Sequence, residues 1–348
     1  MLSRLAVPLG ALAILVGVAL NPALPTPVHA ATGLTGAGSS FDYPFFDSAF
    51  RAYGAHKGIS INYQPVGSGA GIQQFIQKLV DFGASDVPMN PTTELPAAIR
   101  AGGAVEQIPV ALGGVSVAYN IPGVKSGLHL DGTTLAKIFL GTITKWNDSA
   151  LRKLNPKAHL PNLGITVVHR SDSSGTSFAF TDYLSKVSDQ WRGQIGVSKT
   201  PNWTAGVGGL GNLGVAQLVQ QTPGAIGYVE LAYVLQNRMK EAALENASRH
   251  FQLPTLTTVA AAASAFPHVS AERYSITDGT GKNVYPISTY SWVLLFRHQP
   301  DAAKGKELVA LMKWLVTTAQ TKYARPLDYA PLPKAAQTVG LNALKAMK

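Results

Sequence analysis

Residues 165–180 read ITVVHRSDSSGTSFAF, in which an apolar stretch runs into a serine- and glycine-rich turn and then into a second apolar pattern. The β-branched residues at its start predict a strand over 165–170. The spacing of Phe180, Leu184 and Val187 predicts a helix that begins after the turn. Strands joined to helices by short turns build α/β folds, so this stretch favours that fold class.

Two earlier turns have the same design. The segment 35–41 reads TGAGSSF and precedes a helical stripe over 46–53, and the segment 67–71 reads GSGAG between a strand at 59–63 and a helix at 72–80. Unpaired N–H groups at a helix N-terminus bind anions, and serine hydroxyls add further donors. Ordinary helix capping would explain one such turn. Three in one chain leave capping and anion binding equally open.

The rest of the chain also alternates short strands with helices. Residues 243–285 read as irregular, with an alanine run at 260–263. The chain exceeds one typical domain in length, so we predict an α/β protein with two lobes. Further strands are predicted at 115–121, 225–230 and 292–296, and further helices at 135–139, 215–219 and 308–316.

The first thirty residues have the order of parts of a secretory signal peptide. Arg4 gives a basic start, residues 5–20 are apolar apart from glycine and one proline, and 28–30 ends in a small residue. An uncleaved membrane anchor is the alternative, but the apolar run is shorter than the ~20 residues that a spanning helix needs. We therefore predict export and cleavage after Ala30.

The chain contains no cysteine. This excludes thiol catalysis, cysteine-ligated zinc and a lipoprotein anchor, which is attached to a cysteine. The eight histidines are dispersed without the spacing of metal ligands, so we predict no metal site. We expect a soluble periplasmic protein once the signal peptide is removed.

The formal net charge is +10, and Arg4 is the one charged residue that signal-peptide cleavage removes. A basic balance is typical of nucleic-acid binding. However, charged residues make up only 14% of the chain, and no run of lysine and arginine carries interleaved aromatic residues. A distributed positive field can equally draw a small anion into a cleft, so we expect no nucleic-acid partner.

Arg170, Asp172 and Asp86 are the charged residues at these turns. The planar guanidinium of Arg170 can grip two oxygens of a tetrahedral oxyanion, and Asp172 is placed to orient it. A surface ion pair of little energetic value is the alternative. Asp86 is unusual because it ends the apolar segment FGASD at 82–86, although a turn or cap role would also explain one such acid.

Three catalytic or cofactor motifs are incomplete. The stretch 206–211 matches G-x-G-x-x-G with Glu230 at the distance of a ribose acid, but no strand is predicted before it, which argues against a dinucleotide site. A hydrolase elbow, G-x-S-x-G, would need glycine where Ser171 stands. His169 precedes Arg170 on the strand and points to the opposite face of the sheet, which argues against a serine triad.

Several short segments form an ordered set that runs from Leu34 to about Leu332. With this set, the chain resembles the periplasmic phosphate-binding proteins of ABC-type phosphate importers, the PstS family. The segments are LTGAGSSF at 34–41, DFGASD at 81–86, GTITKW at 141–146, GTSF at 175–178, PGAIGYVE at 223–230, LDYA at 327–330 and PLP at 331–333.

The resemblance implies a set of phosphate-binding residues. Ser40 stands where the family frequently has threonine, which keeps the hydroxyl. Ser173 stands where glycine is frequent, and we expect it to stiffen the turn and alter affinity slightly. The matching contacts are the Ser40 hydroxyl, the Phe41 amide, Ser68, Asp86, Arg170, Ser174, Gly175 and Thr176, with Asp172 as the partner of Arg170.

The resemblance also implies an architecture and a role. It implies a two-lobed α/β fold with a hinge, in which 31–119 and 288–348 form lobe I and 120–287 forms lobe II. A monomer without cofactor or catalytic residues would bind inorganic phosphate in the cleft. It would then deliver the phosphate to an inner-membrane ABC permease.

Asp86 supplies a physical basis for ligand choice. Phosphate near neutral pH still bears a proton that a carboxylate can accept, whereas sulfate bears none and would be repelled. A binding protein for another tetrahedral oxyanion is therefore the less favoured alternative. A secreted phosphoesterase is the alternative from a different class, and an assay with a chromogenic phosphate ester separates it.

Overall fold

The computed structural model describes residues 33–347, so the predicted signal peptide at 1–30 and its cleavage site lie outside the described residues. Within that part of the chain, one sheet of eleven strands carries the fold. The strands are β1 (Gly33–Gly38), β2 (Ser60–Gln64), β3 (Phe82–Ser85), β4 (Val105–Tyr119), β5 (Leu128–Leu130), β6 (Thr166–Arg170), β7 (Val207–Gly209), β8 (Ala225–Glu230), β9 (Lys240–Glu245), β10 (Phe251–Gln252) and β11 (Ser288–Phe296).

Helices cover the sheet, and none described over 33–347 is long and apolar enough to cross a membrane. A π-helical turn at Gln320–Ala324 and a 3₁₀ turn at Arg325–Leu327 follow the eleventh helix. The helices are α1 (Tyr43–Lys57), α2 (Ser68–Ile76), α3 (Glu94–Gly102), α4 (Gly132–Phe139), α5 (Ser149–Leu154), α6 (Gly175–Val187), α7 (Asp189–Gln194), α8 (Gly211–Gln221), α9 (Leu231–Gln236), α10 (Leu256–Ala265), α11 (Ala302–Val316) and α12 (Lys334–Lys345).

Strand pairing divides the sheet into two parts that share β4. The main strand order is β2-β1-β3-β11-β4-β8-β6-β7, and β9 pairs with β4, β5 and β10. Residues 105–114 of β4 pair with β11, and residues 115–119 pair with β8. Strands β1, β2 and β3 are parallel in one part, and β6, β7 and β8 are parallel in the other. Each part therefore has its own set of parallel strands with carboxyl ends at one edge.

Apolar side chains at the predicted spacings form the core. In α1 the predicted stripe is buried at Phe46, Ala49, Phe50 and Tyr53, and a proline in the first turn favours the start of the helix. Every residue of β11 is buried; the predicted apolar run at 292–296 forms its second half, and the strand begins four residues earlier, at Ser288. Burial of each large side chain contributes roughly 1.5–3 kcal/mol, so these stripes fix the strands and helices that carry the turns.

Three local predictions differ from the structure. The predicted helix at 72–80 ends at Ile76, and the predicted strand at 115–121 is the end of a strand that begins at Val105. The alanine run lies in α10 rather than in an irregular segment. Thr255 and Thr258 form a reciprocal capping box at its start, with N···Oγ1 distances of 2.9 and 3.1 Å. A capping box built from two threonines, with no Glu or Gln at its third helical position, gives a weak sequence signal.

Candidate phosphate-binding site

The loops that follow five parallel strands meet at one location. Ser39 to Asp42 follow β1, Gly67 and Ser68 follow β2, Asp86 follows β3, Asp172 to Thr176 follow β6, and Gly211 follows β7. Open α/β sheets bind ligands outside the carboxyl ends of their strands. Hydrogen bonds join these loops to one another. They bring the eight residues predicted as phosphate contacts, together with Asp172, into one cluster.

Asp86 is 3% exposed and is surrounded by donors. The Ser39 hydroxyl and the Ser291 hydroxyl, at 3.0 Å, donate to its Oδ1, and the Thr176 hydroxyl donates to its Oδ2 at 3.1 Å. Burial raises the pKa of the Asp86 carboxyl, while these hydrogen bonds and the charge of Arg170 act in the opposite direction. The site thus holds a buried acid that accepts hydrogen bonds from three hydroxyl groups.

Arg170 is 3% exposed at the end of β6. Its Nε and Nη2 donate to the two oxygens of Asp172 at 2.7 and 2.5 Å, and its Nη1 donates to Thr176 Oγ1 at 3.2 Å. Asp172 therefore occupies one edge of the guanidinium and orients it. The edge formed by Nη1 and Nη2 remains turned toward Thr176 and Asp86, where it can donate two parallel hydrogen bonds to an oxyanion.

Core packing fixes the backbone at Arg170. The Arg170 amide donates to the Tyr228 hydroxyl at 3.0 Å, and the Tyr228 ring stacks on Phe180 of α6 with 4.3 Å between centroids. Ser177, also on α6, lies 2.6 Å from the same hydroxyl. One buried tyrosine thus ties β6 to α6, so the arginine and the helix N-terminus keep a constant separation.

Ser68 and Gly175 bring the N-termini of α2 and α6 together. The Ser68 hydroxyl accepts from the amides of Asp86 at 3.3 Å and Gly175 at 3.1 Å. A Cβ added to Gly175 would lie 2.6 Å from Asp86 Cβ and 2.7 Å from its backbone nitrogen. This close approach requires glycine at 175.

Ser174 caps α6. Its Oγ accepts from the Ser177 amide at 3.0 Å, and its own amide donates to the Lys199 carbonyl at 2.9 Å. Helix capping, the alternative considered for this turn, is therefore present at Ser174. The hydroxyl hydrogen is not used in the cap and stays available as a donor.

Ser40 and Phe41 lie in the loop after β1, and Ser40 contacts the start of α8. The Ser40 hydroxyl accepts from the Asn212 amide at 3.0 Å and from Asn212 Nδ2 at 3.1 Å. The Phe41 amide donates to Ser39 Oγ at 2.9 Å. Asn212 Nδ2 also lies 3.3 Å from Thr176 Oγ1, which connects this loop to Arg170.

Three polar residues of this cluster escaped the sequence analysis: Ser39, Asn212 and Ser291. Ser39 lies next to the predicted contacts but was not singled out. Asn212 follows the glycines at 206–211, which were considered only as a dinucleotide motif. The structure puts a short strand, β7, and the N-terminus of α8 there, and the Gly211 amide donates to Asp172 Oδ1 at 3.1 Å.

His169, which was weighed as a triad member, packs against an aromatic ring and the backbone. The His169 ring stacks on Trp203 with 4.7 Å between centroids, and its Nδ1 lies 3.0 Å from the Arg170 carbonyl oxygen. No group of three or more histidine, aspartate or glutamate side chains suited to a metal ion occurs within 33–347.

Comparison with known proteins places this geometry in a family. A sequence model of the PBP superfamily domain matches residues 25–318. Phosphate-binding protein PstS of Xylella fastidiosa is 45% identical over 303 residues, which cover 86% of this chain and 81% of the relative. The chain belongs to the PstS family. The Haemophilus influenzae PstS is 43% identical over 310 residues, which cover 88% of this chain and 91% of that protein.

Solved structures show the same fold at low identity. The structure of a high affinity periplasmic phosphate-binding protein, PfluDING, superimposes with a TM-score of 0.71 at 20% sequence identity. The alignment covers 91% of this chain and 99% of PfluDING. An ancestral soluble variant of the human phosphate binding protein gives a TM-score of 0.72 at 19% identity. The predicted family and the two-lobed α/β fold class are confirmed, and the residue roles stay predictions.

Proposed function

We propose that this chain binds inorganic phosphate between its two lobes and delivers it to an ABC-type phosphate permease. The observation that carries the proposal is the pairing of a buried acid, Asp86, with a buried arginine, Arg170, across a cluster of neutral donors. Membership of the PstS family supports the same ligand, because the relatives are named phosphate-binding proteins. Ser40, the Phe41 amide, Ser68, Ser174, Gly175 and Thr176 are the proposed neutral contacts.

Asp86 selects the ligand by its proton. A phosphate oxygen that bears hydrogen can donate to Asp86 Oδ2, while the unprotonated oxygens accept from Arg170 and the neutral donors. Sulfate offers no such hydrogen, so its approach would leave two buried negative groups without a hydrogen bond between them. A site built to accept a ligand hydrogen rejects the ligand that lacks it by several powers of ten.

We propose lobe I as 31–119 with 288–348 and lobe II as 120–287. The change of partner along β4, from β11 to β8 at Val115, supports a boundary near these limits. Direct contacts link the proposed lobes: Thr176 to Asp86 at 3.1 Å, and Lys199 to Glu94 in an ion pair. We therefore infer that this is a closed arrangement and that the lobes open to exchange ligand.

Scattering tests the hinge. Small-angle X-ray scattering of phosphate-stripped protein should give a larger radius of gyration than the same sample with phosphate. Identical curves from a verified stripped sample would contradict opening of the lobes.

The setting proposed for this activity is the periplasm, after signal-peptide cleavage, with the protein acting as a soluble monomer. The net charge is +10 for the full sequence and remains positive after cleavage removes Arg4, so it would attract anions to the cleft; no nucleic-acid or catalytic role is proposed. The relatives named above are binding proteins, which supports a transport role rather than an enzymatic one. Turnover of a chromogenic phosphate ester by the purified protein would contradict this part of the proposal.

Calorimetry on phosphate-stripped protein tests the function itself. Phosphate and its isostere arsenate should bind with one-to-one stoichiometry, whereas sulfate should give no heat of binding. Absence of phosphate binding, or equal affinity for sulfate, would overturn the proposed function.

A further inference from the structure

A second buried carboxyl group lies behind Asp86. The Ser291 hydroxyl oxygen is 2.6 Å from Asp42 Oδ2 and 3.0 Å from Asp86 Oδ1, and all three side chains are buried. A serine hydroxyl carries one hydrogen, so it can donate to only one of two ionised carboxylates. The other would then face the serine oxygen with no hydrogen between two acceptors.

Apart from its contact with Ser291, the Asp42 side chain accepts no hydrogen bond from residues 33–347. Its Oδ1 is buried without a hydrogen-bond partner. Asp42 precedes α1, but its side chain accepts no hydrogen bond from the first amides of that helix, so it is not a helix cap. An unpaired buried carboxylate is strongly unfavourable, whereas its protonated form is neutral and becomes a hydrogen-bond donor.

We propose that Asp42 is protonated in the folded protein and donates to Ser291, which directs the Ser291 hydrogen onto Asp86. Asp86 Oδ1 then accepts two hydrogen bonds, one from Ser39 and one from Ser291. Asp86 Oδ2, which Thr176 contacts in this structure, is the oxygen left to accept the ligand hydrogen. Asp42 and Ser291 are thus positioning residues that keep Asp86 ionised and orient its Oδ2 toward the ligand.

The surroundings of Asp42 agree with a neutral group. Burial, followed by the charge of Asp86, raises the pKa of Asp42 well above its usual range. Glu230 is a second buried acid nearby whose pKa is also raised by burial, and its Oε1 likewise has no partner. The other ionisable groups that face this acid cluster are Tyr63, Tyr233, Tyr329 and, on the side of Asp86, Arg170.

Infrared spectroscopy tests the proton on Asp42 directly and needs no ligand. The carbonyl stretch of a protonated carboxyl should be present in the wild-type protein near neutral pH and lose one component in Asp42→Asn. Glu230→Gln should remove a different component of this band, so the signals of the two buried acids can be told apart. Asp47→Asn, an exposed change on the same helix, should leave the spectrum unchanged. An unaltered protonated-acid band in Asp42→Asn would overturn the proposal.

Thermal unfolding gives an independent test with a defined sign. An unfolded aspartic acid loses its proton near pH 4, whereas a folded Asp42 with raised pKa keeps it, so the wild type loses stability as pH rises from that point. Asp42→Asn removes this loss. The unfolding temperature of Asp42→Asn minus that of the wild type should therefore increase between about pH 4 and pH 8. For Asp47→Asn the same difference should stay constant. A difference that stays constant with pH would contradict a protonated Asp42.

Phosphate binding then tests the relay, which rests on the proposed function. Asn at 42 can still donate to Ser291, so Asp42→Asn should bind phosphate within about threefold of the wild type. Ser291→Ala removes a hydrogen bond to an ionised group and should bind about tenfold more weakly. Equal affinity in Ser291→Ala and wild type would overturn the relay. If wild-type protein bound no phosphate while the infrared result held, the proposed function would fail and the protonated Asp42 would stand.

Discussion

A methyl group added at Gly175 should block closure of the cleft. In Gly175→Ala the new Cβ would lie 2.6 Å from both Asp86 Cβ and Ser68 Oγ, and 2.7 Å from the Asp86 amide nitrogen. The Ser68 hydroxyl can rotate away, but the Asp86 nitrogen and Cβ cannot. The nitrogen belongs to the backbone, and the Cβ is bonded to the backbone Cα. The proposed lobes must therefore stay slightly apart when phosphate binds.

The magnitude follows from the cost of overpacking. Forcing a methylene-sized group into a packed contact costs about 1–3 kcal/mol, which corresponds to roughly five- to 150-fold weaker phosphate binding. In a phosphate-free, open arrangement the methyl group has room, so the unfolding temperature without ligand should change little. Calorimetric titration and thermal unfolding of the same preparation measure the two quantities.

Gly193→Ala is the matched control. Gly193 lies exposed in α7, and a Cβ added there meets nothing within 4 Å. This variant should keep wild-type affinity. The reasoning is refuted if Gly175→Ala binds phosphate as tightly as the wild type. It is also refuted if the phosphate-free variant loses stability to the same extent as binding, because the contact would then belong to a permanent core.

Three further predictions concern the charged groups of the cleft. Arg170→Lys should weaken phosphate binding by well over tenfold, because an ammonium cannot copy the two-pronged donor and a lost charge-assisted bond costs roughly 1.5–3 kcal/mol; an unchanged dissociation constant would remove Arg170 from the site. Lys199→Met should weaken phosphate binding by about two- to fivefold, because its ion pair with Glu94 is lost. The double variant with Glu94→Gln should bind phosphate as tightly as Lys199→Met alone. Additive losses of affinity would contradict the pairing. Phosphate affinity should fall as pH decreases through the pKa of Asp86, which burial raises, because the protonated acid no longer accepts the ligand hydrogen; affinity that is constant down to acid pH would contradict that role.

Local patterns predicted most of the elements that carry the site. The strand over 165–170 and the helix through Phe180 correspond to β6 and α6, and the turn between them holds Asp172 to Thr176. Such features depend on side-chain spacing and turn chemistry within about ten residues. They can therefore be read from the sequence without knowing the tertiary structure.

Long-range partners could not be predicted in this way. Asn212 reaches Ser40 across 172 positions, and Ser291 reaches Asp86 across 205. Ser291 lies in the first half of β11, which reads STYS and precedes the apolar run at 292–296 from which the strand was predicted. Only the pairing of β11 with β3 and β4 brings its hydroxyl between two acids.

The family resemblance added what spacing alone left open. Spacing left capping and anion binding equally open at the three turns, and the structure shows capping at Ser174, within the cluster around Arg170. The role proposed for Asp86 rests on the matching segments and on the chemistry of phosphate. Its partners, Ser39 and Ser291, required the structure.

The ratio of phosphate to sulfate affinity in Asp86→Asn tests the central claim most directly. An amide can accept a hydrogen bond from phosphate through its carbonyl and donate one to sulfate through its NH₂. Phosphate binding should therefore persist, perceptibly weakened, while sulfate binding rises from undetectable to measurable in competition titrations. Asp47→Asn makes the same charge change at the surface and should leave the ratio at its wild-type value. An unmoved ratio in Asp86→Asn would contradict selection of phosphate by its proton, even if phosphate still binds.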